Sequence, residues 1–181
     1  MFETRETAIP GCLELQPVLR ADERGQFVKT FHSDFFLEHG LETEFREQYY
    51  SISRKGVLRG FHFQRPPDGH NKMVYCTSGE ILDVVVDLRV GSETYGDHIT
   101  LEISSDIGNI LYVPEGLAHG FYAVSDATIV YNVSSVYSPD NDDGILWDSA
   151  GVQWPVSLPV VSRRDMTFTR LADFESPFHV A

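Results

Sequence analysis

Gly108-Asn109-Ile110-Leu111-Tyr112-Val113-Pro114-Glu115-Gly116-Leu117-Ala118-His119 reads as the run-in and restart of two strands around one turn. The apolar run Asn109–Val113 stops at a proline and glycine and resumes at His119. Outward from this stretch, between residues 57 and 137, the apolar segments stay short, rich in β-branched and aromatic residues, and separated by turn signals at regular intervals. An all-β fold follows, an antiparallel sandwich or barrel. The predicted strands are Val57–Phe63, Lys72–Thr77, Glu80–Leu88, His98–Ile103, Asn109–Val113, His119–Val124 and Thr128–Tyr137, with Ser78-Gly79 and Ser125-Asp126 as tight connections. One short helix is predicted, capped by Ser33, turning through Phe35, Phe36 and Leu37, and ended at Gly40 by a left-handed residue. The termini read as less regular, free to wrap around the core or a partner subunit.

The chain has 181 residues, of which 42% are hydrophobic and 12% aromatic. That is enough apolar surface to offset chain entropy, so one domain spanning residues 1–181 is expected and a disordered chain is not. Lys and Arg number 14 against 27 Asp and Glu, for a net charge of −13. Such a balance supplies no general attraction to nucleic acid or anionic membrane, and an anionic ligand needs a local basic pocket. The run Ile81–Val86 is interrupted by acids and Met1–Glu6 has no apolar signal region, so a cytoplasmic protein without membrane attachment is expected. Cys12 and Cys76 lie in apolar segments and read as reduced, buried thiols. Arg65-Pro66-Pro67-Asp68-Gly69 and Ser138-Pro139-Asp140-Asn141 read as loops within the domain, and no repeat or linker divides the chain.

The spacing G-x5-P-x-G-x2-H in residues 108–119 resembles the second motif of the cupin family, a jelly-roll β barrel. Gly56 precedes His62 as in the first cupin motif, but Gln64 stands where that motif has a second histidine, and no glutamate matches the remaining ligand. His62 and His119 alone are too few donors for a first-row metal. His70, His98 and His179 are not at spacings that strand alternation would aim at the same point. No metal is expected.

A closer resemblance rests on Asp22-Glu23-Arg24-Gly25, Val57-Leu58-Arg59-Gly60-Phe61-His62-Phe63-Gln64, Gly79-Glu80-Ile81-Leu82-Asp83-Val84, Val113–Phe121 and Gly144-Ile145-Leu146-Trp147. From about residue 6 to residue 170 the chain is similar to the dTDP-4-dehydrorhamnose 3,5-epimerase family. The resemblance implies a cupin-like jelly roll with one or more short helices, forming a homodimer that exchanges N-terminal segments. It implies a nucleotide-diphosphate 4-keto-6-deoxyhexose as substrate and no metal or organic cofactor. Inverting a carbon beside a ketone needs a base on one face, a stabiliser for the enolate oxygen and an acid on the other face. In the resemblance His62 is the base, since an imidazole titrates near ~6.5 and accepts a proton at neutral pH. Asp165 orients it, Lys72 stands at the C4 oxygen, and Tyr131 is the acid. Taken alone, a histidine between Phe61 and Phe63 reads as a core residue, and Asp165 as a turn or helix-cap aspartate; the matching positions favour the dyad.

The same resemblance puts His119 beside the sugar, Arg59 and Arg24 on the diphosphate, and Glu47, Tyr49 and Tyr137 among the substrate contacts. Planar guanidinium forks suit phosphate oxygens even in an acidic chain. Strict alternation places Arg59 and His62 on opposite sheet faces, so one pocket holds both only if the strand bulges at Gly60 or the arginine curls round an edge. The chain also departs from the family. Glu47-Gln48-Tyr49-Tyr50-Ser51 replaces the usual Gln-x-Asn pair, Arg20 stands where an aromatic is usual, and Lys29 where an acid is usual. Thymidine is therefore no longer a safe default, and a cytidine or other nucleotide is a reasonable alternative. Asn132 follows Tyr131 where a lysine is common, which leaves inversion at C3 alone open. A 3,4-ketoisomerase and a non-catalytic sugar-nucleotide-binding cupin are the competing functions for the same barrel.

Overall fold

The computed structural model describes residues 2–180. Its strands are β1 (Phe2–Glu6), β2 (Leu13–Pro17), β3 (Arg20–Asp22), β4 (Gly25–Phe27), β5 (Glu47–Ser53), β6 (Leu58–Gln64), β7 (Lys72–Ser78), β8 (Glu80–Asp87), β9 (His98–Ser104), β10 (Ile110–Val113), β11 (Leu117–Ala123), β12 (Ala127–Val133) and β13 (Asp142–Gly144), with a helix α1 (Ser33–Glu38). A six-stranded sheet in the order β1-β2-β10-β7-β12-β5 packs on a five-stranded sheet in the order β13-β6-β11-β8-β9, and β3 and β4 form a separate hairpin. The strands within both sheets pair antiparallel. This is the all-β sandwich that the short, regularly spaced strands predict.

Alternation sorts the side chains into layers. Val74 and Cys76 of β7, Ile129 and Tyr131 of β12, Ile81 and Val85 of β8 and Phe121 of β11 meet in the core between the sheets. By the same period of two, Lys72, Asp83 and His119 belong to these inner faces. Outside the six-stranded sheet, Phe36 of α1 packs with Phe31, Phe35 and Phe45 over Leu15, Met73 and Ile110. Outside the five-stranded sheet, the strand-poor C-terminal chain lays Phe174 and Phe178 on Phe63, Val84 and Val86. Cys12 and Cys76 are buried free thiols. No helix among the described residues is long and apolar enough to cross a membrane.

Several expectations need correction. The N-terminal residues are not irregular: β1 and β2 extend the six-stranded sheet. Their sequence hides this because the exposed face of edge strand β1 carries charge rather than apolar residues. The strand expected at Thr128–Tyr137 ends at Val133, and residues 134–137 turn away to form part of a cavity mouth. His32, not Ser33, caps α1, its Nδ1 accepting from the Phe35 amide at 3.4 Å. Gly40 does close the helix: Gly40 N bonds Leu37 O and Leu41 N bonds Phe36 O, a Schellman ending. The connections at Ser78-Gly79 and Ser125-Asp126 are tight, as expected, and each carries the chain from one sheet to the other. The two corners pack together. A Cβ at Gly79, with φ +76°, would lie 2.1 Å from Asp126 O.

The feature that most shapes the site is in β6. His119 of β11 faces His62, and Phe121 faces Arg59, so two steps along β11 span three along β6. One extra residue at Gly60-Phe61 makes a β-bulge and reverses the alternation. Phe61 and Phe63 then point to the outer cluster, while Arg59 and His62 share the inner face. Of the two ways to reconcile them, the bulge is the one realised.

Candidate active site

His62 and Asp165 form a hydrogen-bonded pair, Nε2 to Oδ1, at 2.9 Å. The carboxylate is buried at the start of a short 3-10 turn and also accepts from the Gly60 amide at 3.2 Å. Burial alone would raise Asp165, but the bonds from His62, Gly60 and Ser162 outweigh it and hold the carboxyl below its ordinary range. Phe168 packs edge-on to the His62 ring at 5.7 Å, limiting its rotation.

Lys72 and His119 stand on facing sheets near this pair. The Lys72 ammonium donates to the His62 carbonyl oxygen at 3.0 Å. Lysine carries three donors, so the group keeps capacity for a ligand oxygen. Burial pushes Lys72 down to about 8, opposed by Asp142 and Asp83. His119 Nε2 bonds Asp83 Oδ2 at 2.7 Å, and Asp83 is fully buried. Desolvation outweighs the opposing pull of His119 and Lys72 and holds Asp83 above the ordinary carboxylate range.

Tyr131 approaches from the six-stranded sheet. It stacks on Tyr49, its register partner on β5, at 4.9 Å between centroids, and its hydroxyl lies 3.4 Å from Ser51 Oγ. Burial drives its phenol far above the ordinary range, so the hydroxyl holds its proton. Arg59 is near enough to lower Tyr131 electrostatically, and its Nε donates to Ser53 Oγ at 3.0 Å.

Between the sheets lies a cavity of about 320 Å³ whose walls include His62, Lys72, Glu47, Tyr49 and Tyr137. Asp165, Tyr131 and His119 stand behind these lining residues, through the contacts given above. Glu47 Oε2 accepts from the Tyr137 amide at 2.6 Å, joining two sides of the mouth. Arg24 is not brought here. It sits on the β3–β4 hairpin, paired with Asp22, its side chain 83% exposed. Four residues not singled out as site residues by sequence reasoning belong to this region. Asp142 and Arg164 pair at 2.7 Å at the cavity wall. His70 lines the cavity and is pushed down to about 3 by burial and Lys72. Asp83 underlies it. An acid at an inward position of an otherwise apolar strand is the one signal that could have found Asp83; the other three lie in loops or on an edge, where no periodicity marks them. Among the described residues no three His, Cys, Asp or Glu side chains gather as a metal-binding group.

A family model for dTDP-4-dehydrorhamnose 3,5-epimerase matches residues 6–173. The chain belongs to the dTDP-4-dehydrorhamnose 3,5-epimerase family. It is accordingly an isomerase of the epimerase type with the cupin-like jelly-roll fold. A dTDP-4-dehydrorhamnose 3,5-epimerase of Methanothermobacter thermautotrophicus is 40% identical over 179 residues, covering 95% of this chain and 96% of its own. A dTDP-4-dehydrorhamnose 3-epimerase of Streptomyces niveus is 39% identical over 173 residues, covering 93% and 84%. Among solved structures, the 3,5-epimerase of Legionella pneumophila, in complex with dTDP-4-keto-L-rhamnose, superposes with a TM-score of 0.94 at 30% identity over 100% of both chains.

Proposed function

We propose that this epimerase inverts C3 and C5 of a dTDP-4-keto-6-deoxyhexose, with His62 as base and Tyr131 as acid. The observation that carries the reading is the buried carboxylate-bound His62 on one sheet, with Tyr131 on the facing sheet and Lys72 beside them. His62 Nδ1, the nitrogen not held by Asp165, takes the proton from carbon, and the C–H electrons pass to the C4 oxygen. Asp165 stabilises the imidazolium. The Lys72 ammonium donates to the developing enolate oxygen in a water-poor site, the type of contact worth most in catalysis. Tyr131 then delivers its proton to the opposite face, and solvent restores both groups. At each inverted carbon one C–H bond breaks and one forms, so two of each for C3 and C5 together, with no net redox change. Arg59 meets the diphosphate, Glu47, Tyr49 and Tyr137 frame the sugar and nucleotide, and His119 holds a sugar oxygen.

Arg24 completes the phosphate contacts from a second copy, in a homodimer that exchanges its N-terminal hairpin. Two features support this: in one chain Arg24 is exposed and outside the cavity wall, and edge strand β5 leaves Tyr50 and Ile52 67% and 68% exposed. The whole chain acts as one domain, in the cytoplasm, which the two free thiols suit. A second reading, inversion at C3 alone, is favoured by the Streptomyces niveus relative and by Asn132, which is buried beside Tyr131 and bonded to Gln48 at 2.6 Å. Arg20 and Lys29, which share a surface groove with Phe27 on the hairpin side, keep a different nucleotide base open.

The test is deuterium wash-in from heavy water into the dTDP- and CDP-linked 4-keto-6-deoxyglucose, followed by NMR. Label at C3 and C5 of the dTDP sugar is expected. Label at C3 only selects the second reading, label only with CDP reassigns the base, and none with either removes the proposal. His62→Ala should lower wash-in by ~10²-fold or more while nucleotide binding persists.

A further inference from the structure

Asp83 is an ionisable group with no ordinary reason to be where it is. β8 runs Glu80-Ile81-Leu82-Asp83-Val84-Val85-Val86-Asp87, and its inward positions Ile81 and Val85 lie in the apolar core on either side of Asp83. Asp83 has no exposed surface. Its Oδ2 is taken by His119 Nε2 at 2.7 Å, and its Oδ1 has no side-chain partner, with only the neighbouring Val84 amide acting on the carboxylate. Removing a carboxylate from water without a full set of hydrogen bonds is costly to the fold. A hydrophobic residue would fill this place more stably, so a purely structural role accounts poorly for it.

Its neighbours supply a reason. His119 sits directly across the register from His62, so the two histidines face one another from neighbouring strands, each tied to its own buried carboxylate. The fixing of Nε2 by Asp83 puts the ring proton on that nitrogen and leaves Nδ1 as the nitrogen open to a ligand. Lys72 is buried at an inward position of β7, on the sheet that faces β8, and its ammonium is the charge on that sheet that acts on Asp83. From the geometry we propose that Asp83 is a positioning residue for the epimerisation, one carboxylate that sets the tautomer of His119 and holds the charge of Lys72 across the gap between the sheets. This rests on the assignment of Lys72 and His119 to the substrate pocket.

The groups facing these two are few. Around Asp83 are His119, Lys72, Tyr131 and the thiols of Cys12 and Cys76; around Lys72 are Asp83, Asp142, His70 and His62, whose carbonyl it bonds. Burial pushes Lys72 down to about 8, so epimerisation should fall as pH rises through that region and the ammonium loses its proton. In Asp83→Asn the amide oxygen can still accept from His119 while the charge is gone. Asp142 remains in the variant, so any displacement of the alkaline limb reports Asp83 alone.

The experiment measures pH profiles of deuterium wash-in for the wild-type protein and Asp83→Asn from pH 6 to 10, on the sugar nucleotide that the wild type labels. Expected for the variant are an alkaline limb moved to lower pH by about one unit and a kcat reduced ~10²-fold with KM little changed. An alkaline limb at the wild-type position overturns the proposal. Imidazole 15N spectra of the wild type, assigned with His119→Gln, give a second readout that needs neither turnover nor a folded Asp83 variant. A proton on Nε2 of His119 is expected, and a proton on Nδ1 overturns the proposal. Absence of wash-in by the wild type would instead count against the epimerase site assignment, and the tautomer would still decide the role of Asp83.

Discussion

Tyr131 and His62 are attached to facing sheets, so withdrawal of a proton and its return from the other side are assigned to separable groups. In Tyr131→Phe the base and the Lys72 ammonium remain. Deuterium should still enter at the carbon His62 reaches, because the base can return a solvent-derived proton to the face it took one from. Inverted sugar should fall by ~10²-fold or more. NMR separates the two results in one tube, and inversion at the wild-type rate would remove Tyr131 as the acid. The stacking of Tyr49 on Tyr131 survives this change, so lost activity is not explained by a collapsed wall.

At the level of elements, the bulge in β6 is where backbone geometry becomes chemistry. Gly60 has φ +128°, and a Cβ there would lie 2.5 Å from Gly120 Cα and 3.0 Å from His119 O, both backbone atoms that cannot step aside. Gly60→Ala should cost about 3 kcal/mol, lowering the midpoint of thermal unfolding by roughly 10 °C for a chain of this size. Wash-in should fall as well, because relieving the clash moves the strand between Arg59 and His62. An unchanged melting curve would show that the two strands tolerate separation. The bulge also marks the limit of what is legible in sequence. Strands β6 to β12 are readable to within a few residues because their inward positions are apolar and their turns carry Gly, Pro, Ser or Asp. His62, Lys72 and Tyr131 are legible as chemistry only through resemblance, since a lone polar residue in a strand has a bland explanation. β2 and β5 escape such a reading because they pair with strands added far along the chain, β10 and β12, while β1, β3 and β4 are short and mostly exposed, so no apolar alternation marks them. Asp142 and Arg164 meet across 22 residues of loop and turn, a pairing no periodicity encodes.

For the molecule as a whole, the position of Arg24 makes a prediction about assembly. If each site borrows Arg24 from a second copy, then Arg24→Ala and His62→Ala proteins, each impaired alone, should complement when unfolded, mixed and refolded together. A mixed dimer has one site with His62 from one chain and Arg24 from the other, so random pairing should recover about a quarter of the wild-type rate. No recovery would place Arg24 and His62 of the same chain in one site. The two-sheet construction has a further consequence. Because His62 hangs from one sheet and Tyr131 from the other, the distance between them is set by the thickness of the sandwich, about 10 Å between stacked sheets. That thickness is a property of core residues such as Val85 and Ile129, which do not line the cavity. Enlarging one of those residues prises the jaws apart and shrinking one lets them close, so in this protein a gauge of internal volume is also a gauge of how well a six-membered ring is gripped.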